Sequence, residues 1–335
     1  MTSRTESQVT LTELNRAAET VYAHMAPTAQ ICWPLLSARV GAEVWVKHEN
    51  HTPIGAFKVR GGLVYMDDLK KRAPDCGGII TATRGNHGQS VGLAAKHFGF
   101  RSTIVVPHGN NPEKNRAMNG FGVDLREVGE DFQAAADWAA EKAEAEKLHM
   151  IPPFHPLLVA GVGTYAMEFF KAQPDLDVVY VPIGMGSGIS GVISARDALG
   201  LKTDVVGVVA EGAPAYGLSF EAGRVVRTNK AETLADGMAC RSPNADAVEI
   251  INRGAARVVQ VSDEAIAGAM ACYFTDTHNL AEGAGAAPLA AALQERMSLA
   301  GRKVGLVLSG GNVDRHLLSD VLSRFGDGNA EVQAA

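Results

Sequence analysis

Short runs of valine, isoleucine and leucine, each followed by a longer stretch of helical character, recur along almost the whole chain. In Ile79-Ile80, Ile104-Val105-Val106, Val178-Val179-Tyr180-Val181 and Leu306-Val307-Leu308 the apolar residues are consecutive and do not alternate with polar ones. A strand with one wet face alternates; a strand apolar throughout is covered on both faces, as in a parallel sheet between layers of helices. The rhythm predicts strands at residues 42–47, 78–83, 102–107, 123–128, 178–183, 205–210, 257–261 and 303–308. It predicts helices over 57–72, 86–98, 112–120, 131–147, 161–172 and 189–199, another after Ser262, and a last one from Asn312. Ser262 is a good N-cap, with Asp263 and Glu264 favouring the positive end of the helix behind it. The expected fold is α/β: open, twisted, mostly parallel sheets flanked by helices.

With 335 residues, 46% of them hydrophobic, the chain is long enough for a full core and for two lobes. The best crossing point between lobes is Ile151-Pro152-Pro153-Phe154-His155-Pro156. The first dozen residues and the tail 327–335 look disordered. A net charge of −6 with no basic block argues against nucleic acid or an anionic membrane as partner. The longest apolar candidate for a membrane span, 178–192, is broken by Pro182 and glycines. Residues 1–8 lack an apolar signal core, and Cys32, Cys76, Cys240 and Cys272 are scattered with no CxxC pair. Both features fit reduced thiols and a cytoplasmic location.

Four segments carry chemistry. Lys58 follows Phe57, with Pro53 and Gly55 turning the chain before it and Gly61-Gly62 behind. A desolvated amine loses its charge readily and can form a Schiff base with an aldehyde; the plainer alternative is a surface lysine lying over an apolar neighbour. Gly184-Met185-Gly186-Ser187-Gly188 leads from a strand into a helix, where backbone N–H groups hold an anion without a charged side chain. A tight turn without ligand is the alternative there. So is a dinucleotide site, because Gly186, Gly188 and Gly191 have the fingerprint spacing and Glu211 ends the next strand. Thr83-Arg84-Gly85-Asn86-His87 lies at a second strand-to-helix junction and reads as a nest for a carboxylate, or as a plain Asn cap. Ser309 ends the last strand, on the sheet edge where open α/β folds keep their ligands.

Taken together, the motifs Ala56-Phe57-Lys58, Gly85-Asn86-His87-Gly88, His155-Pro156, Ala160-Gly161-Val162-Gly163-Thr164, Val181-Pro182 with the glycine loop, Leu234-Ala235-Asp236-Gly237 and Leu308-Ser309-Gly310-Gly311-Asn312 occur in family order. The chain resembles the fold-type II pyridoxal-phosphate enzymes, specifically their threonine dehydratase and serine racemase branch. The resemblance covers about residues 45 to 315 and removes the nicotinamide alternative. It implies two sheets of the tryptophan synthase β type: a large cofactor-binding domain from residues 1–70 and 156–335, and a small mobile substrate-binding domain from 71–155. The implied cofactor is pyridoxal 5'-phosphate and the implied partner a small amino acid, in a homodimer. Lys58 would hold the cofactor as a Schiff base and act as the base on the α-proton. Phe57 would pack on the ring, Asn86 would bond its phenolic oxygen, and Gly184, Met185, Gly186, Ser187 and Gly188 would hold the phosphate. Ser309 would meet the ring nitrogen without protonating it, since an alcohol is too weak an acid. Thr83, Arg84, Gly85, Asn86 and His87 would receive the substrate, with His87 in a packing or hydrogen-bonding part.

The implied reaction is β-elimination from a 3-hydroxy amino acid, giving a 2-oxo acid and ammonia. β-Replacement and racemisation are the alternatives within the family, and a non-catalytic cofactor-binding protein the alternative outside it. Racemases of the family have serine where this chain has Arg84, which does not give up a proton. Arg84 is placed either to clamp a second carboxylate, as on 3-hydroxyaspartate, or to pair with a protein carboxylate across the cleft. The 155–161 segment is shorter than usual, so Leu157, Leu158 and Tyr165 are expected to shape a more apolar pocket suited to phenylserine. Of the family's divalent-cation site only a weak half, Glu211 and the Ala215 backbone, is present. No metal is expected there, with Tyr216 or water filling the space.

Overall fold

The computed structural model describes residues 9–325. Its strands, in chain order, are β1 (Gln30–Cys32), β2 (Glu43–His48), β3 (Ile79–Ala82), β4 (Ser102–Val106), β5 (Asp124–Glu127), β6 (His149–Met150), β7 (Val178–Pro182), β8 (Asp204–Ala210), β9 (Arg257–Val261) and β10 (Lys303–Leu308). They form a six-stranded sheet in the order β1-β2-β10-β7-β8-β9 and a four-stranded sheet in the order β5-β4-β3-β6. Every pairing is parallel except that of β1 with β2. Along β7, Val178 and Tyr180 enter the core on one face while Val179 and Val181 enter the core on the other. Burial on both faces is why these strands carry no polar alternation. Each such side chain contributes roughly 1.5–3 kcal/mol on leaving water.

The expected α/β class and the eight expected strands are present, with bounds shifted by a residue or so. Three helix expectations need correction. The helix expected from residue 161 starts at Pro156, because the His155 ring accepts the Leu157 N–H and Pro156 needs no donor in the first turn. The helix expected from Asn312 starts at Arg315: the Asn312 side chain is tied to Ile54 and Asn86, and Asp314 accepts the Leu317 N–H instead. The first dozen residues are not all irregular. Thr10 and Glu13 form a capping box on the helix Leu11–Tyr22, which buries Leu14, Ala17 and Val21. The expected irregular tail, 327–335, lies outside the described residues.

A buried charge network fixes the start of the helix Lys58–Arg72. Arg60 has no exposed surface and grips Glu49 with two nitrogens, at 2.7 and 2.9 Å. It also donates to Glu168 at 2.6 Å, and Glu168 receives the buried Lys47 amine. Two cations against two carboxylates leave no buried charge unpaired, the condition under which such a cluster is tolerated. The network joins β2, the Lys58 helix and the helix Pro156–Ala172, so Lys58 stands on a fixed base.

Candidate active site

The strands β2, β10 and β7 are neighbours, so the segments leaving their carboxyl ends meet. An isolated antiparallel bridge joins Ala56 to Gly310. The Phe57 N–H donates to the Ser309 carbonyl at 3.0 Å, and the Gly311 N–H to the Gly55 carbonyl at 2.9 Å. Lys58 and Ser309 thus share one small ladder despite their distance in sequence. Gly55 has a φ of 66°, and a Cβ there would lie 2.7 Å from the Asn312 side-chain oxygen, so a side chain here would be strained and would have to push Asn312 aside. From β7 the chain enters the glycine loop, where Gly186, at φ 94°, caps the helix Ser187–Ala198. A Cβ on Gly184 would sit 2.0 Å from the Gly237 carbonyl, and one on Gly188 would touch the Phe57 ring at 3.6 Å. The glycine loop therefore lies between the Asp236-Gly237 turn and Phe57.

Lys58 is half-buried, its Nζ 5.0 Å from the centre of the Phe57 ring, with no hydrogen bond or ion pair among the described residues. Desolvation pulls its pKa down to about 8, against the pull of the Glu282 carboxylate. Glu282 is buried, and desolvation raises its own pKa. It accepts from the Asn86 amide at 2.7 Å, and the Asn86 oxygen accepts from Asn312 at 2.8 Å. One Asn86 N–H is committed to Glu282, and the second remains for another acceptor. Desolvation, then the Lys58 charge, push His87 down to about 3, and its Nε2 has no partner. A neutral imidazole of that kind cannot serve as an acid near neutral pH.

At the β3 junction the expected nest is narrower than the sequence suggests. Thr83 Oγ1 accepts the N–H groups of Gly85 and Gly88, at 3.0 and 3.3 Å, which leaves Asn86 and His87 to offer theirs. Arg84 is exposed and has no carboxylate partner among the described residues. The expected apolar pocket draws little on Leu158 or Tyr165, since both are spent in the core. Leu158 backs onto Gly61, while Tyr165 packs edge-on against Phe57 and donates to the Gly188 carbonyl. At the half-site for a cation, Glu211 is exposed and the Ala215 carbonyl already accepts from Ser219 at 2.6 Å.

Several residues at this site escape motif reading. Glu282 is one, although an acid alone in Leu280-Ala281-Glu282-Gly283-Ala284-Gly285 was a visible signal. Lys114 and Asp236 form a 2.7 Å ion pair at the mouth, lining a cavity of about 280 Å³ with Gly237, Glu282, Asn312 and Asp314. Lys114 carries no mark in its local sequence, and Asp236, though part of the Leu234-Ala235-Asp236-Gly237 motif, is not marked there as its partner, because the two meet across the cleft between the two sheets.

These residues fit pyridoxal phosphate. The Lys58 amine is desolvated and unpaired, and neither it nor the Ser309 hydroxyl has a hydrogen-bond partner among the described residues. The N–H groups of Gly186, Ser187 and Gly188 open a helix and have no acceptor among the described residues. Comparison with known proteins agrees. The family model described as "Pyridoxal-phosphate dependent enzyme" matches residues 21–310. L-threonine ammonia-lyase of Geobacter sulfurreducens is 36% identical over 289 residues, 86% of this chain and 72% of that one. L-threo-3-hydroxyaspartate ammonia-lyase of Saccharomyces cerevisiae is 31% identical over 297 residues, 88% of this chain and 90% of that one. The solved processed form of threonine deaminase isoform 2 from Solanum lycopersicum superposes with a TM-score of 0.86 at 28% identity, over 95% of each chain. The match along most of the chain, with a desolvated lysine and a glycine loop at the carboxyl edge of the large sheet, places the protein in the pyridoxal-phosphate dependent enzyme family.

Proposed function

We propose that this enzyme is a pyridoxal-phosphate-dependent ammonia-lyase that eliminates the β-hydroxyl of a 3-hydroxy amino acid, yielding a 2-oxo acid and ammonia. The observation that carries the reading is the Lys58 amine, desolvated, free of partners and held beside Phe57 and Ser309. Pyridoxal phosphate, when bound, supplies an aldehyde for the amine and an electron sink for the bond broken at Cα. Phe57 and the glycine loop 184–188 would hold it, with the second Asn86 N–H on its phenolic oxygen. Lys58, with a pKa near 8, takes the α-proton as a neutral amine. The Ser309 hydroxyl would donate a hydrogen bond to the ring nitrogen without giving up its proton, which favours loss of a β-group over reprotonation at Cα. The Asn86 and His87 N–H groups would receive the substrate carboxylate at the helix start.

Exposed and unpaired, Arg84 supports a substrate with a second acidic group, such as 3-hydroxyaspartate, over a serine-like one. The same residue disfavours racemisation. The unit 71–155 is read as the mobile substrate lobe, and the enzyme as a cytoplasmic homodimer, the dimer resting on the family resemblance and the compartment on the free cysteines. Among the described residues no helix is long and apolar enough to cross a membrane. A screen of serine, threonine, 3-hydroxyaspartate and phenylserine in both configurations, following 2-oxo acid and ammonia, tests the reading. Release of both products from at least one of them is expected, and Lys58→Ala abolishes it. Incorporation of an added thiol or amine without ammonia release would instead make it a β-replacement enzyme.

A further inference from the structure

Tyr216 lies in the first turn of the helix Ala215–Ala222 and is buried, with 2% of its surface exposed. Its hydroxyl donates to the Met185 carbonyl at 2.9 Å and accepts the Asn244 N–H at 3.1 Å. Burial, and then the Cys240 thiol beside it, push its pKa up, so the hydroxyl remains a donor. The same oxygen lies 3.1 Å from where a Cβ on Gly186 would be. In a trans peptide the carbonyl and the following N–H point in opposite directions. With the Met185 carbonyl drawn toward Tyr216, the Gly186 N–H faces away from it. Gly186 has a φ of 94°, so this peptide is not set by ordinary helix geometry and needs an external tether. Asn244 caps the helix Ala245–Gly254, whose Ala247 backs Gly186, so the hydroxyl ties the loop to a rigid element.

We propose that Tyr216 is a positioning residue for the anion cradle: its hydroxyl fixes the Met185–Gly186 peptide so that the Gly186 N–H points at the cofactor phosphate. The inference rests on the reading of residues 184–188 as that cradle. It gives Tyr216 a task at the place where the sequence shows only half a cation site. A tyrosine that orients one peptide changes affinity for the phosphate group and leaves affinity for the rest of the cofactor alone.

The test titrates resolved apoprotein, wild type and Tyr216→Phe, with pyridoxal 5'-phosphate and with pyridoxal, following tryptophan quenching and thermal unfolding. The wild type is expected to bind the phosphate ester far more tightly than pyridoxal. Tyr216→Phe should lose about tenfold affinity for the phosphate ester, the scale of one hydrogen bond, with pyridoxal unchanged. Equal losses on both ligands, or none, would overturn the inference. A wild type that does not distinguish the two ligands would instead refute the cradle itself. Should Tyr216→Phe not fold, 4-fluorophenylalanine at position 216 keeps the volume of the ring and its para substituent while removing the O–H donor to Met185. The same selective loss is expected, and an unselective one counts against the proposal.

Discussion

Lys58 is useful because its neighbours deny it water without giving it a counter-ion in contact. Glu282 acts on it from a distance and spends its oxygen on Asn86. An ammonium cannot attack an aldehyde, so covalent uptake of cofactor follows the neutral fraction of the amine. The rate of uptake by apoprotein should therefore rise about tenfold per pH unit below about 8 and level off above it, whereas an ordinary lysine, near 10.5, would still be climbing there. Stopped-flow absorbance across pH 6 to 10 reads this directly; a profile still rising at pH 10 would contradict the desolvated site. Arg84 is the second residue with a sharp expectation. If it meets a second carboxylate, Arg84→Ala should cut kcat/KM on 3-hydroxyaspartate roughly 10- to 100-fold, the worth of a charge-assisted hydrogen bond, and leave threonine nearly unchanged. Equal losses on the two substrates would remove the idea.

At the scale of elements, Lys58, the 83–87 junction, the glycine loop and Ser309 each lie beyond the carboxyl end of a strand with a parallel neighbour, and the strands were the most legible part of the sequence. Consecutive valines bounded by glycine and proline admit few readings, and β9 and β10 match their expected bounds. The helix Gly283–Gln294 was missed because it is buried from Gly283 to Leu293 and so carries no amphipathic stripe. Lys58, Ser309 and the glycine loop were legible from local chemistry. The Glu282–Asn86–Asn312 chain, the Tyr216 tether and the Thr83 hydroxyl that closes part of the nest were not, since each is a contact between distant segments. The Arg60 network makes the element-scale prediction. Glu168→Ala leaves Arg60 and Lys47 buried beside a missing carboxylate and should cost about 3–5 kcal/mol in denaturant unfolding. A loss under about 1 kcal/mol would mean water relieves the charge.

Over the whole molecule, the polar ties between the two sheets at the site include Lys114 to Asp236 at 2.7 Å, Asn111 to Asp314 at 3.1 Å, and Asn86 to both Glu282 and Asn312. Lys114 and Asp236 are partly exposed, so their pair adds little to stability and is readily broken. That is what the proposed opening of the 71–155 unit to admit substrate requires. Lys114→Ala is expected to leave thermal unfolding within about 0.5 kcal/mol of wild type while raising KM more than it lowers kcat. The larger claim, that every feature described serves one covalent cofactor, is tested most directly by reducing the holoenzyme with borohydride and mapping the peptides. The account predicts a single pyridoxyl label on Lys58. A label on any other lysine, or none on protein that carries the cofactor, would contradict it.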